Sequence, residues 1–115
     1  MEQLNRIELR GVVGSIRTQT FSDNVMARMT VATNYAYKDR EGAAVIDTSW
    51  HSVVAWEGKN VQGLSKITRG TKVHVTGRLR YQKYTGSDGV ERLSTDIVAN
   101  RLEVIDDPEP LQYEV

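Results

Sequence analysis

The sequence contains no cysteine, and this absence excludes several kinds of chemistry. A chain without thiols forms no disulfide, no thiolate nucleophile, no iron–sulfur cluster and no cysteine-ligated zinc site. The two histidines, His51 and His74, lie 23 residues apart and have no cluster of carboxylates beside them. Because zinc ligands usually occur in pairs a few residues apart, we expect neither a metal site nor a cofactor.

Long apolar segments are also missing. The longest, residues 43–46 and 53–56, are far shorter than the roughly 18 apolar residues expected of a transmembrane helix. The amino terminus has no basic stretch followed by an apolar core, which is the pattern of a secretion signal. We therefore expect a cytoplasmic protein with no membrane partner.

The whole chain has no excess of positive or negative charge, because it has 15 basic and 15 acidic side chains. The distribution is nevertheless uneven. Residues 1–105 carry 15 basic and 11 acidic side chains, a net charge of +4, and the other four acids are Asp106, Asp107, Glu109 and Glu114. A basic body with an acidic tail is typical of a nucleic-acid-binding domain, and equally of a domain with a short solvated terminus.

Alternation of polar and apolar residues with a period of two is the dominant pattern, and it predicts an all-β protein. The 115 residues, 39% of them apolar, suffice for one hydrophobic core. The five predicted strands lie at residues 6–10, 28–31, 47–56, 72–81 and 93–105. We expect bends or bulges at Gly11, at Gly14 and near residues 99–101, and a hairpin at residues 85–89, which contain an Asp-Gly pair.

One short helix is predicted between the third and fourth strands, within residues 57–67. Val61, Leu64 and Ile67 recur every three residues there and form an apolar stripe, and Gly70 follows as a helix end. This order of elements is typical of a five-stranded Greek-key OB-fold barrel, the oligonucleotide/oligosaccharide-binding type. An SH3-like barrel and a small sandwich are the alternatives.

The domain organisation follows from the last strand and the residues after it. Residues 1–105 are predicted to form the OB-fold domain, and residues 106–115 a short acidic C-terminal tail. Pro108 and Pro110 lack the N–H donors that a strand ladder needs, so we expect a loose terminus.

Catalytic motifs are absent: the sequence has none of the patterns for phosphate binding, acyl transfer or zinc-dependent hydrolysis. His51 and His74 alternate with apolar residues on predicted strands, where surface or interface packing is the ordinary role of a histidine. Five strands in so short a chain leave few long loops, where catalytic groups usually converge. We predict that the protein is not an enzyme and has no catalytic residue.

Aromatic rings and cations are interleaved along the sequence. Trp50 and Trp56 are six residues apart on one predicted strand and therefore share a face, with Val53 and Ala55 on the opposite face. Tyr84 lies on the polar face of the fourth strand. The cations close to Tyr37 and Tyr84 in sequence are Lys38, Arg40, Arg80 and Lys83.

Single-stranded nucleic acid is bound by this pair of residue types, because unstacked bases expose flat apolar faces while each phosphate carries a charge. Stacking contributes about 1–3 kcal/mol per base, and cations follow the backbone. Proteins that read duplex DNA usually place a helix in the major groove, and the predicted helix has little basic character. The other interpretation is that Trp50 and Trp56 belong to the core and that the cations are solvated.

Five sequence segments occur in an order that identifies a family. They are NRIELRG at residues 5–11, TVAT at 30–33, TSWHSVV at 48–54, RGTKVHVTGRL at 69–79 and TDIVA at 95–99. In these segments and their order the chain resembles the bacterial single-stranded DNA-binding proteins, over roughly residues 4–105. The resemblance implies an OB-fold homotetramer that coats single-stranded DNA without strong sequence preference, in replication, recombination and repair, and that is associated with the nucleoid.

The resemblance also implies which residues bind DNA. Tyr37, Trp50, Trp56 and Tyr84 lie at the positions of the family's stacking aromatics, although tryptophan is familiar at the two tyrosine positions and phenylalanine at that of Trp56. His51 resembles a histidine close to a subunit interface. The cations implied to contact the DNA backbone are Arg6, Lys38, Arg40, Lys59, Arg69, Arg80 and Lys83.

Two departures from the family pattern matter. Glu57 follows Trp56 where the familiar pattern continues directly with Gly-Lys, which puts the alignment of Trp56 and Lys59 in doubt. The sequence ends without the family's long Gly/Gln/Pro-rich linker and acidic Pro-Phe tip, which recruits replication proteins. Recruitment by that route is therefore in doubt. A phage or mobile-element member fits this ending, as does a shortened chain.

Two alternative functions remain open at this point. A primosome accessory protein has the same fold, is dimeric and lacks the tail. A protein-interaction module that binds no nucleic acid would use the same aromatic side chains as the core of a protein interface.

Overall fold

Five strands close into a barrel in the computed structural model, which describes residues 1–106 and 109–114. The strands are β1 (Ile7–Phe21), β2 (Asn24–Lys38), β3 (Ala44–Trp56), β4 (Lys72–Thr85) and β5 (Glu91–Val104). Their order around the barrel is β1-β2-β3-β5-β4, and all neighbours are antiparallel except β3 and β5. The predicted all-β, five-stranded barrel is confirmed.

The alternation predicted from the sequence places one row of side chains from each strand inside the barrel. Leu9, Val31, Val53, Val75 and Ile97 represent the five strands, and all are buried in one hydrophobic cluster. Each such side chain contributes roughly 1.5–3 kcal/mol when it is removed from water. The polar row on the outer wall is therefore left to face solvent or ligands.

β1 changes partner along its length, which closes the barrel. Residues 7–12 pair with β4, and residues 12–21 pair with β2. The register with β2 shifts between Val13 and Ser15, so Gly14 is the extra residue of a bulge. A second shift leaves Asn100 of β5 without a partner in β4, because Thr76 faces Arg101 while Gly77 faces Ala99. The irregularities predicted at Gly14 and near residues 99–101 are confirmed, whereas the register of Gly11 with β4 is regular.

The helical prediction for residues 57–67 is only partly right, because the structure has a single 3-10 turn, Leu64–Lys66. Gly63 before it has a φ of 73°, a left-handed conformation that interrupts any longer helix. Val61, Leu64 and Ile67 are nevertheless buried as predicted. Within residues 1–106 and 109–114 no helix is long and apolar enough to cross a membrane.

Glu57, the residue that departs from the family pattern, organises this turn. Its carboxylate accepts hydrogen bonds from the backbone N–H groups of Gly63 and Leu64 at 3.1 and 3.3 Å. Its own N–H donates to the carbonyl of Val25, directly after Trp56 pairs with Met26. Trp56 is therefore the last residue of β3, and Glu57 begins the turn that follows.

The prolines predict a loose tail, but backbone hydrogen bonds join Glu114 to β2. The Ala36 N–H donates to the carbonyl of Glu114 at 2.8 Å, and the Glu114 N–H donates to the carbonyl of Asn34 at 3.2 Å. This bridge forms where β1 has left β2 to join β4, which exposes the edge of β2 beyond Ala32. Of the proposed tail, Asp107, Pro108 and Val115 lie outside the described residues.

Candidate nucleic-acid interface

Trp50 and Trp56 lie on the outer wall of the barrel. Both belong to the outward row of β3, and their side chains are 64% and 43% exposed. Val53 and Ala55 point the other way and are fully buried. The two tryptophans are six positions apart along the strand, about 20 Å at the usual rise of an extended strand. The interpretation that they form part of the core is therefore wrong.

The indole of Trp50 packs on the bulge of β1. A Cβ atom built at Gly14 would lie 2.4 Å from Cζ3 of Trp50 and 3.2 Å from Cη2. Such distances are possible only because the residue in the bulge is glycine. The backbone of β1 therefore supports one side of the indole, while most of the ring remains accessible to a base.

A Gly14→Ala substitution tests this support. The added methyl group occupies space now filled by the far end of the Trp50 ring, so we expect the indole to move while the barrel stays folded. The expected results are a shifted tryptophan emission spectrum and weaker binding to oligo-dT, with a thermal unfolding midpoint close to that of the wild type. An unchanged emission spectrum together with unchanged binding would contradict this arrangement.

Trp56 has a different neighbour. Its ring centroid lies 5.8 Å from that of Phe21, with the planes inclined by 39°. Phe21 ends β1 and is itself exposed. The sequence does not predict the role of Phe21, because only the fold brings residues 21 and 56 together.

The β2–β3 hairpin gathers three of the predicted residues. Tyr37 is 44% exposed and lies beside Tyr35, with ring centroids 6.1 Å apart and planes inclined by 30°. Lys38 is the last residue of β2, and Arg40 lies in the turn. The carboxylate of Asp39 accepts the N–H groups of residues 41 and 43, both at 2.9 Å, which fixes the shape of this turn.

The β4–β5 hairpin carries Tyr84, which is 48% exposed. Beside it, Lys83 forms an exposed ion pair with Glu91 at 3.7 Å. Asp88 shapes the turn by accepting the N–H of Val90 at 3.0 Å and a guanidinium N–H at 2.7 Å. The hydrogen bond from Val90 is the main reason that the pKa of Asp88 is lowered. The predicted hairpin is confirmed.

The other predicted cations do not all lie beside the rings. Arg80 is on the outer wall of β4, 3.5 Å from Asp96, and Lys59 follows Trp56 in an exposed turn. Arg69 precedes Gly70, whose N–H donates to the carbonyl of residue 13 beside the β1 bulge. These three cations therefore lie on the indole-bearing wall or in loops joined to it.

Arg6 is in a different place. It lines a polar cleft on the outer face of β1, β4 and β5, together with Glu8, His74 and Arg101. The imidazole of His74 forms a hydrogen bond with Glu8 at 2.9 Å, and this contact is the main reason that the pKa of Glu8 is lowered. The structure thus separates Arg6 from the tryptophans with which the resemblance groups it.

His51 lies on the face of β3 opposite Trp50. The imidazole is half-buried, and its Nε2 atom forms a hydrogen bond with the hydroxyl of Thr33 at 2.8 Å. Burial lowers the pKa of His51 below its ordinary value of 6.5, because the imidazolium is less well solvated in the folded protein. Its predicted place at a subunit interface stays a prediction.

We expect the stability of the protein to fall when the pH is lowered through 6.5. Because the folded state disfavours the charged imidazole, the unfolded chain binds more protons below that pH, and acidification favours unfolding. Urea unfolding at about pH 7.5 and about pH 5.5 measures the effect. A His51→Asn variant should show a smaller difference between the two pH values; an identical difference would mean that another group is responsible.

Known proteins are similar to this chain over most of its length. The model of the single-strand binding protein family matches residues 4–105. Single-stranded DNA-binding proteins of Xanthomonas campestris pv. campestris and Neisseria meningitidis serogroup A are 39% and 31% identical to the chain over 104 residues. The alignments cover 89% of this chain and 60% of each relative. The chain thus spans about three fifths of the length of these curated relatives.

Solved structures show the same fold. The SSB of Plasmodium falciparum, in complex with single-stranded DNA, superposes with a TM-score of 0.75 at 27% identity, covering 91% of this chain and 96% of that one. A deletion mutant of the single-stranded DNA binding protein from Thermus aquaticus superposes with a TM-score of 0.72 at 18% identity, covering 91% of this chain and 52% of that one. The barrel is therefore an OB-fold, and the SH3-like and sandwich alternatives are wrong.

Proposed function

Because the chain belongs to the single-strand binding protein family, we propose that it binds and coats single-stranded DNA without strong sequence preference. The observation that carries the proposal is the pair of exposed indoles on one outer wall, with guanidinium groups on β2 and β4. The protein acts by binding alone and is not an enzyme.

Binding combines two kinds of contact. Bases stack on Trp50 and Trp56, and on Tyr37 and Tyr84 at the two hairpins, at about 1–3 kcal/mol per base. Every base has a flat face, so stacking tolerates any sequence. Lysine and arginine side chains neutralise the phosphates, which makes the affinity fall as salt is added. Coated strands are protected and cannot re-pair.

The setting of this activity is replication, recombination and repair at the nucleoid, in the cytoplasm. Residues 1–105 supply the DNA-binding domain, and residues 106–115 form a short acidic tail.

The assembly we propose is a homotetramer. Among the residues that the structure describes, residues 7–11 of β1 pair only with β4, since pairing with β2 begins at residue 12. This free edge offers N–H and C=O groups to a second copy of the chain. Light scattering should give a mass of four chains in solution; a mass of two chains with weaker DNA affinity would favour the primosome accessory alternative.

Titration with homopolymer DNA tests the function. Oligo-dT should quench tryptophan emission, duplex DNA of the same length should not, and the apparent affinity should fall between about 50 mM and about 200 mM salt. Unchanged emission with oligo-dT at low salt would contradict the proposal. Recovery of a protein partner in the absence of DNA binding would favour the protein-interaction module.

A further inference from the structure

A buried carboxylate lies on the outer wall of the barrel, beside the part of β3 between the two tryptophans. Asp96 of β5 is only 5% exposed, and it accepts a hydrogen bond from the hydroxyl of Ser52 at 3.1 Å. Ser52 is in the outward row of β3, between Trp50 and Trp56. Since burying a charge is unfavourable unless it is paired, the groups around this carboxylate indicate its role.

Two guanidinium groups pair with this carboxylate. Nη1 of Arg28 lies 4.0 Å, and Nη2 of Arg80 3.5 Å, from the same Oδ2 atom of Asp96. Arg28 comes from β2 and Arg80 from β4, the strands on the far sides of β3 and β5. The carboxylate thus draws cations from two separate strands toward the wall that carries the tryptophans.

The positive charge of this cluster exceeds what one carboxylate balances. Arg17 of β1 lies directly opposite Arg28 in the strand register, an arrangement of like charges that destabilises a sheet. Within the described ranges 1–106 and 109–114, Arg17 forms no ion pair, and Arg28 and Arg80 pair with no acid except Asp96. Arg17, Arg28 and Arg80 carry three positive charges against the one negative charge of Asp96, a net charge of +2 that a bound anion would compensate.

We propose that Asp96 is a positioning residue that holds Arg28 and Arg80 ready for the phosphates of the DNA segment running between bases stacked on Trp50 and Trp56. The inference rests on the proposed function and adds Arg28 to the residues that contact DNA. The shared carboxylate sets where both guanidinium groups stand, and Arg17 widens the same positive surface.

The geometry suits phosphate recognition. A guanidinium presents five N–H donors in a planar fork and binds phosphate through two of them at once. The Arg28 side chain is 55% exposed, so most of its donors remain available to solvent while one side faces Asp96. Fixing such a side chain before DNA arrives reduces the conformational entropy that binding would otherwise remove.

The direction in which Asp96→Asn changes the DNA affinity distinguishes a positioning role from a purely electrostatic one. If Asp96 acted only through its charge, it would repel phosphates, and Asp96→Asn would bind DNA more tightly with a steeper salt dependence. If Asp96 positions the arginines, the same substitution weakens binding, although the protein becomes more positive. These two outcomes have opposite directions and cannot be confused.

The experiment measures the affinity for fluorescently labelled oligo-dT at several salt concentrations by anisotropy. We expect Asp96→Asn to bind roughly tenfold more weakly. The magnitude of its log–log salt slope should fall by about 0.7 to 1.4, which corresponds to one or two lost phosphate contacts on a single strand. Asp23→Asn, the same change at an exposed acid in the β1–β2 turn, is the matched control and should not weaken binding.

A double-mutant cycle with Arg28 completes the test. Arg28→Gln changes an exposed side chain and should lower the slope by about 0.7. The loss of DNA affinity caused by Asp96→Asn should be smaller in the Arg28→Gln background than in the wild type. In an Arg17→Gln background the loss should be the same as in the wild type. Full additivity with Arg28→Gln overturns the proposal, as does tighter or unchanged binding by Asp96→Asn.

Two further outcomes are distinguishable. If circular dichroism finds Asp96→Asn unfolded, Arg28→Gln decides alone, and an unchanged slope overturns the proposal. If the wild-type chain itself does not bind oligo-dT, the proposed function fails; if it binds and Asp96→Asn binds equally well, only the positioning role fails.

Discussion

We expect the Trp50→Ala variant to bind oligo-dT about 5- to 150-fold more weakly than the wild-type protein, a loss of about 1–3 kcal/mol. The physical reason is the position of this ring. It is the more exposed of the two indoles, and the backbone at Gly14 supports it from below, so a base can stack on it without first displacing another side chain. Alanine leaves that base without a partner.

The measurement should use anisotropy of labelled DNA, because the substitution removes one of the two tryptophans. Trp50→Phe is the matched control, since phenylalanine keeps a flat ring at the same position and should recover most of the affinity. The salt slope should be the same in all three proteins, because stacking releases no counterions. Equal affinities for Trp50→Ala and the wild type would remove this residue from the DNA-binding surface.

Much of the fold is predictable from the sequence because alternation records which side of a strand is buried. The pattern at residues 47–56 correctly placed the tryptophans opposite Val53 and Ala55. Alternation predicts only residues 28–31 of β2, which extends from Asn24 to Lys38. The beginning of the strand is not predicted because Met26 and Ala27 are both buried, so alternation is lost there. The helix was overestimated because periodicity at residues 61, 64 and 67 does not reveal the left-handed backbone of Gly63.

The site was less predictable than the fold, for a topological reason. Local sequence and resemblance together pointed to Tyr37, Trp50 and Tyr84. The contacts of Gly14 with Trp50 and of Asp96 with Arg28 join strands that are distant in sequence. They depend on the register between strands and on the short parallel contact of β3 with β5. A single sequence contains no direct signal for either.

A large loss of stability is expected for Gly77→Ala. A Cβ atom at Gly77 would lie 2.2 Å from the carbonyl oxygen of Val98 and 2.9 Å from its carbonyl carbon. Both are backbone atoms of β5, which cannot rotate away as a side chain can. We expect the free energy of unfolding to fall by about 3 kcal/mol. For a domain of this size the melting temperature should fall by about 12 °C, as measured by circular dichroism.

Gly58→Ala is the control that isolates the clash from the general effect of replacing a glycine. No atom lies within 4 Å of a Cβ built at Gly58, and its φ is not in the left-handed range. Alanine there restricts the unfolded chain, so stability should be unchanged or raised by about 0.4–1 kcal/mol. Gly77→Ala restricts the unfolded chain in the same way. Its loss of stability relative to Gly58→Ala therefore measures the contact between β4 and β5 opposite the Asn100 bulge. Equal melting temperatures for the two variants would mean that β5 shifts to admit the methyl group and that this part of the barrel is not tightly packed.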